Sequence, residues 1–460
     1  MEKSNQIFAA ASATVGAFGL GTVLAWTSPA LESMQKESEE FKEISKESQS
    51  WVGAILTLGA LFSAPVCGVL MDRIGRKNTM LILSVPFVLG WLLIGYAQNL
   101  AMMLCGRFIS GFCGGGFSLV APVFIGETAE DSIRGALGSG FQLMVVLGIL
   151  FVNTVGSFAD WQWLSLICGF VPLVFLISMI FVQESPRYLL MKGKNADASQ
   201  SLCWFRKKTS SQEVEDELKI IEISVNESKA EKAKFSDLAL PHNLRPSLIM
   251  MALMLFQQLS GINAVIFYTT NIFKAAGSDL DGNVSSIIVA GIQVVATLAA
   301  VFVVDKLGRR ILLTASALIM CIALVALGLF FHLQENGNAK TIGWLPLVSL
   351  MVFISAFSIG FGPLPWMMLG ELLPPKVKGL VASVATMFNW FLAFLVTKFY
   401  QNLLDAVGAP ACYWGFAGVC AVGTAFIILI IPETKGKSID EIQKLFGAPT
   451  VTDDSEESRK

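Results

Sequence analysis

GVLMDRIGRK, residues 68–77, and VFVVDKLGRR, residues 301–310, carry one pattern: an apolar run, Asp, a basic residue, an apolar residue, Gly and two more basic residues. Each copy closes an apolar run long enough to cross a bilayer. A short polar motif recurring at the same place in two distant parts of a chain is what a duplicated multi-helix unit leaves behind. The question is how many membrane-crossing segments surround the two copies.

Of 460 residues, 54% are hydrophobic and only 15% charged, where a soluble chain carries about 25% charged residues. That deficit indicates an integral membrane protein. A formal net charge of -2 excludes an electrostatic nucleic-acid binder. A bilayer core of about 30 Å needs about 20 apolar residues per crossing. Such segments lie near 7–29, 51–71, 79–97, 100–124, 138–157, 162–182, 247–273, 284–304, 311–332, 343–368, 379–402 and 410–431. The first is flanked by MEKSNQ, with one Lys offset by a Glu, and reads as a retained helix rather than a signal peptide. The expected fold is therefore an all-α integral membrane protein of twelve helices in two pseudo-symmetric halves. The halves are 1–183 and 246–432, separated by a charged linker with short amphipathic helices, 184–245, and followed by a tail, 433–460.

Lys and Arg gather after the second, eighth and tenth spans and in the linker. The positive-inside rule makes those loops, and with them both termini, cytoplasmic. The sequon at Asn283 then faces outward and is the candidate glycosylation site, whereas Asn226 faces the cytosol. The eight cysteines lack metal or redox spacing and read as packing residues, and neither His242 nor His332 supports a catalytic reading. No nucleophile–base or metal constellation is present in the sequence, so an enzyme is not expected.

Within this apolar chain, FQQLSGINAVIFYTT (256–270) carries three amides, Gln257, Gln258 and Asn263. Unpartnered amides are costly away from water. At about 100° per residue the three point in different directions around a straight helix. One cavity collects them only if the helix breaks, and Ser260-Gly261 is where it can.

DRIGRK, QESPRYLL, QQLSGINAVIFYTT, DKLGRR, GPLPWMMLGELLP and PETKGKS, in that order along nearly the whole chain, resemble the sugar porter family of the major facilitator superfamily. AWTSPAL and FQLMVVLGIL are most similar to its insect facilitated trehalose transporter branch. The resemblance implies facilitative transport of a hexose or trehalose by alternating access. It implies a monomer whose partners are a small sugar and the lipid bilayer, with no cofactor and no metal, in the cell membrane. The alternatives are a proton-coupled symporter and a sugar-sensing receptor. Proton-coupled relatives carry an Asp in the first helix, where FGLGTVLAW has Gly21. The C-terminal GAPTVTDDSEESRK is short for a signalling tail.

By the same resemblance the sugar meets Gln142, Gln257, Gln258, Asn263, Gln293 and Asn389, with Phe357 and Trp366 as apolar walls. A carboxamide suits a hydroxyl because it both donates and accepts without net charge. Gln293 replaces a common Asn, Ser358 a Glu and Phe361 a Pro. The candidate cytoplasmic gate comprises Asp72, Arg76, Arg107, Glu127, Arg134, Glu184, Arg187, Asp305, Arg309, Arg310, Glu371, Lys378 and Glu433. Carboxylates and guanidinium groups there can pair bidentately across the two halves, closing that side and releasing it when it opens.

Overall fold

The computed structural model describes residues 3–37, 41–230, 235–277, 281–337, 341–373, 375–435, 437 and 439–446. The side chains of Asp131, Asp305 and Pro375, among others, lie outside what it describes. So does residues 447–460 of the expected tail.

The first half consists of α1 (Ser4–Ala25), α2 (Thr27–Glu37), α3 (Lys46–Ile74), α4 (Arg76–Gly95), α5 (Leu100–Thr128), α6 (Asp131–Val155) and α7 (Trp161–Ile180). The intervening segment carries α8 (Pro186–Met191), α9 (Asn195–Arg206) and α10 (Glu215–Ala230). The second half has α11 (Pro241–Leu259), α12 (Ile262–Ala276), α13 (Gly282–Leu307), α14 (Arg309–Glu335), α15 (Leu345–Ile359), α16 (Leu364–Leu372), α17 (Pro375–Ile430) and the short α18 (Ile439–Leu445). We call the side that carries α8–α10 the linker face and the opposite side the far face.

Among the described residues, 11 helical stretches are long and apolar enough to cross a bilayer. The last of them is too long for one crossing. At about 1.5 Å per residue α17 would measure about 84 Å if straight. Instead Gly408 leaves helical geometry at φ 80°, ψ 161°. The hydroxyls of Tyr400 and Tyr413, about 20 Å apart along a continuous helix, lie 2.8 Å from each other. The chain folds back on itself there, and the crossings number twelve.

Helix starts on the far face are capped locally. Ser45 Oγ accepts from the Ser48 N–H at 3.1 Å, Asn99 Oδ1 from Met102 at 2.9 Å, and Asp160 Oδ1 from Trp163 at 3.0 Å. Each satisfies an N–H that the first helical turn leaves open. Small residues then let the helices approach closely, the usual device where lipid supplies no hydrophobic drive between helices. A Cβ on Gly111 of α5 would come within 2.1 Å of the Leu56 carbonyl oxygen of α3. One on Gly21 of α1 would come within 2.0 Å of the Val145 carbonyl oxygen of α6. Large apolar side chains such as Phe170, Ile177, Phe302 and Leu429 remain exposed on the outside, as a lipid-facing surface requires.

Two helices are interrupted in mid-bundle. The seventh crossing, expected over 247–273 with a break at Ser260-Gly261, begins at Pro241 and breaks there, between α11 and α12, where Gly261 takes φ 86°. The tenth breaks over 360–363 between α15 and α16, and the sequence reading did not foresee this. Ser316 Oγ holds that break, donating to the Ala356 carbonyl at 2.7 Å and accepting from the Phe361 N–H at 3.1 Å.

The halves meet through α3 with α17, α6 with α13, and α2 with α12. At the far face Ser28 and Thr270 join them, hydroxyl to hydroxyl at 3.0 Å, with the Thr270 N–H donating to Ser28 Oγ at 3.1 Å. Toward the linker face the packing loosens. No described residue of α6 from Ser132 to Met144 is buried, although Val145, Val146, Ile149 and Val152 farther along are.

Candidate functional site

The break between α11 and α12 does what the three amides require of it. Gln257 and Gln258 end one helix and Asn263 begins the next; the two glutamines meet Asn389 of α17, and Asn263 joins them through Gln258. Asn389 Nδ2 donates to Gln257 Oε1 at 2.8 Å, and its Oδ1 accepts from Gln258 Nε2 at 2.8 Å. Asn263 Nδ2 donates to Gln258 Oε1. Gln257 Nε2 reaches on to the carbonyls of Phe361 at 2.7 Å and Gly362 at 3.0 Å. One chain of hydrogen bonds thus ties the interruption in the seventh crossing to that in the tenth. Gln257, Gln258 and Asn389 are buried, where partnered amides are tolerated and orphaned ones are not.

The other four sequence candidates stand apart from this chain. Among the described residues, neither Gln142 on α6 nor Gln293 on α13 has a side-chain hydrogen-bond partner. Gln293 is buried and Gln142 half-buried. Their helices pack on each other across the two halves. At about 1.5 Å per residue they sit about 20 Å and 17 Å from the far-face ends of those helices. Phe357 and Trp366 flank the 360–363 break. The Gly362 N–H donates to the Phe357 carbonyl at 2.7 Å, and Trp366 is 40% exposed.

On the linker face the two sequence repeats fold into two matching clusters. In the first half, Arg76 Nη2 donates to Glu127 Oε1 at 2.9 Å and Ser185 Oγ to Glu127 Oε2. Glu184 accepts from the backbone N–H groups of Arg76, Lys77, Asn78 and Ser185. In the second half, Arg309 Nη2 pairs with Glu371 Oε1 at 3.1 Å, and Thr434 Oγ1 donates to Glu371 Oε2 at 2.6 Å. Glu433 accepts from the N–H groups of Arg309, Arg310, Thr434 and Lys435. Each cluster therefore places a distant carboxylate on a helix N-terminus, where open N–H groups and the helix dipole favour negative charge.

The turn that permits this is a glycine. Gly75 (φ 100°) and Gly308 (φ 91°) sit where L side chains rarely go. A Cβ would stand 2.2 Å from Glu184 Oε2 at the first and 2.7 Å from Glu433 Oε2 at the second. The caps differ in proton affinity. At Glu184 burial dominates and holds the carboxyl above its usual range, against the opposing N–H groups. At Glu433 burial also pushes up, but the Lys435, Arg309, Arg310 and Thr434 N–H groups outweigh it and leave the carboxyl below that range.

Several gate candidates fall outside these clusters. Asp72, exposed, reaches Arg76 only at 3.8 Å, and the side chain of Asp305 lies outside the described residues. Arg134 donates to the Ala129 carbonyl, Arg187 to Ser224 Oγ and Lys378 to the Gly370 carbonyl. Arg310 also donates through its guanidinium to the Ile428 carbonyl. Among the described residues, the contacts given for each cluster lie within one half and the segment that follows it, rather than across the two halves as the sequence suggested.

Arg107 is a correction. It lies near the far-face start of α5, at the opposite end of the helix from Glu127, wholly buried. It donates to the Val52 and Val23 carbonyls at 3.1 and 3.0 Å and to Thr27 Oγ1 at 2.7 Å, and stacks over Trp26. It belongs to the packing of α1, α3 and α5, not to a linker-face gate. The sequence reading also missed Ser185 and Thr434, although a hydroxyl residue directly follows Glu in both QES and PET.

Against known proteins, the family model described as "Sugar (and other) transporter" matches residues 10–446. The chain belongs to the sugar transporter family. Among its relatives, the facilitated trehalose transporter Tret1 of Culex quinquefasciatus is 43% identical over 443 residues, covering 96% of this chain and 85% of that one. Tret1 of Apis mellifera ligustica is 41% identical over 451 residues, 98% of this chain and 89% of that one. Tret1 of Drosophila yakuba is 43% identical over 442 residues, 95% of this chain but 51% of its own. The chain thus spans about half the length of this last relative. The solved proton:xylose symporter XylE bound to 6-bromo-6-deoxy-D-glucose superposes with a TM-score of 0.80 at 24% identity, covering 97% of this chain and 100% of that one. A partially occluded inward open XylE from E. coli gives 0.81, also at 24% identity, covering 95% and 100%. These two likenesses establish the major facilitator fold.

Proposed function

We propose that this member of the sugar transporter family is a facilitative carrier of trehalose or a hexose, working by alternating access from the cell membrane. The observation that carries the reading is the amide chain Asn263–Gln258–Asn389–Gln257 at two helix breaks. It offers uncharged donors and acceptors in mid-bundle, the chemistry a polyol needs. Gln142 and Gln293, whose amides have no hydrogen-bond partner among the described residues, face the sugar from the two halves, and Phe357 and Trp366 supply its apolar walls. The linker face is cytoplasmic, with both termini on that side and Asn283 outside as the glycosylation site. The Arg76–Glu127 and Arg309–Glu371 clusters and their neighbours act there as gate elements. The identity to Tret1 proteins favours trehalose as the first sugar to test.

The surroundings of Arg107, Gly21 and Glu127 support a reading of transport without proton coupling. The Arg107 guanidinium is met by two carbonyls and a hydroxyl. No side chain fits at position 21, where a Cβ would strike the Val145 carbonyl. Glu127, the acid closest to candidacy from sequence, is engaged by Arg76 and Ser185. In proteoliposomes, uptake of a labelled trehalose and hexose panel is expected to stop at equal concentrations and to survive an uncoupler. Sugar rising above its external concentration under an imposed pH gradient overturns the facilitative reading. Failure to take up any sugar overturns the substrate class.

A further inference from the structure

We propose that the first turns of α3 and one stripe of α17 form a releasable clasp that holds the far face shut. This rests on the alternating-access reading above and adds to it the residues that set the balance between the two open states. Three rungs join the halves there. Trp51 packs on Phe394 with ring centroids 5.9 Å apart. Lys398 Nζ donates to Glu47 Oε1 at 2.6 Å and to Ser50 Oγ at 3.0 Å. Lys46 Nζ pairs with Asp405 Oδ1 at 2.7 Å.

The order is antiparallel, and it is not accidental to the helix. At about 100° per residue, positions 394, 398 and 405 fall within about 40° of one another, so they share one face of α17. On the partner helix, residues 46–51 are the first turn and a half of α3.

The middle rung is unlike an ordinary surface ion pair. The Lys398 side chain is 6% exposed while that of Glu47 is 59% exposed. The lysine stem is covered by protein, with its ammonium 4.9 Å from the Trp51 ring centroid. A cation so enclosed depends on the groups that meet it; beside its own neighbour Phe399, whose ring centroid is 5.6 Å away, these are Glu47, Ser50 and Trp51 of the other half. When the far face opens, Lys398 must leave them together and enter water, which is open to an ammonium on a flexible stem. The contact is thus strong when made and separable in one motion. The hydroxyl pair Ser28–Thr270 forms a second seam at the same face.

Thr397 provides the reporter. It is wholly buried, its Oγ1 has no hydrogen-bond partner among the described residues, and its methyl group lies 3.5 Å from where a Cβ on Gly53 of α3 would be. A cysteine there is close to threonine in volume, though it lacks the methyl branch, and sits in the seam between halves. The experiment measures the rate at which a membrane-impermeant thiol reagent labels Thr397→Cys from the far side in full-length protein in proteoliposomes. Cys105, which is exposed, is first replaced by Ser. Glu47→Gln and Lys398→Met are each expected to raise labelling about threefold or more. The charge-exchanged pair Glu47→Lys with Lys398→Glu is expected to return it toward the parent rate. Glu47 is exposed, so its conservative variant tests the idea even if Lys398→Met fails to insert. Unchanged labelling in Glu47→Gln, with the protein still transporting, overturns the clasp. Raised labelling in the variants of a parent protein that itself transports no sugar supports the clasp and overturns the carrier reading instead.

Discussion

Gln258→Ala is expected to raise the Kd for the transported sugar by about ten- to hundredfold while leaving the inserted amount of protein unchanged. Gln258 is the central link of the amide chain, donating to Asn389 and accepting from Asn263. On the proposed reading its removal takes away a sugar-facing amide, and it also releases both neighbours from their present orientation. Losing one or two buried hydrogen bonds costs about 1–3 kcal/mol, which is the stated range in affinity. Equilibrium binding or zero-trans uptake in proteoliposomes measures it. A Kd within twofold of the parent, in correctly inserted protein, removes Gln258 from the binding site.

The second large effect is expected at the linker face, on stability rather than binding. Gly75→Ala adds a methyl group where Glu184 Oε2 would be 2.2 Å away, in a backbone region that costs of order 1–3 kcal/mol for any other residue. Glu184 cannot simply swing aside, because four backbone N–H groups hold its carboxylate. The melting temperature in detergent is expected to fall by about 3 °C or more. Gly308→Ala is expected to cost less, since its contact with Glu433 is 2.7 Å and that carboxylate is less enclosed. A Gly75 variant as stable as the parent, or a reversed order between the two, contradicts the cap geometry.

Features written as pattern were legible in the sequence. The twelve crossings followed from apolar length, and the seventh-crossing break followed from three amides that no straight helix can aim at one place. The matching of the two clusters was announced by the repeated D-[RK]-x-G-R-[RK] pattern. Features that depend on depth and on long-range partners were harder to read. Charge alone groups Arg107 with the linker-face cations, whereas its place seven residues into a crossing that starts on the far face sets it at the opposite end. Lys398, alone in the apolar run 379–402, was passed over because nothing local shows that its partner is Glu47, some 350 residues earlier. The 360–363 break carries Gly and Pro, but the hydroxyl that holds it, Ser316, comes from another helix.

The amide chain also bears on how firmly a sugar is held. Every link from Asn263 to the Phe361 carbonyl is already a hydrogen bond within the protein. A sugar hydroxyl that engages Gln258 or Asn389 displaces one such bond and makes another of much the same strength, so each replacement is close to isoenergetic. Discrimination among sugars then rests on how many replacements a given stereochemistry completes at once, since an incomplete one strands an amide. On the proposed reading, affinity is expected to stay modest even when that match is full. A receptor built this way would be a poor one, but a carrier is limited by how fast it lets go. Internally compensated amides leave no deep energy well for the sugar to climb out of on the other side.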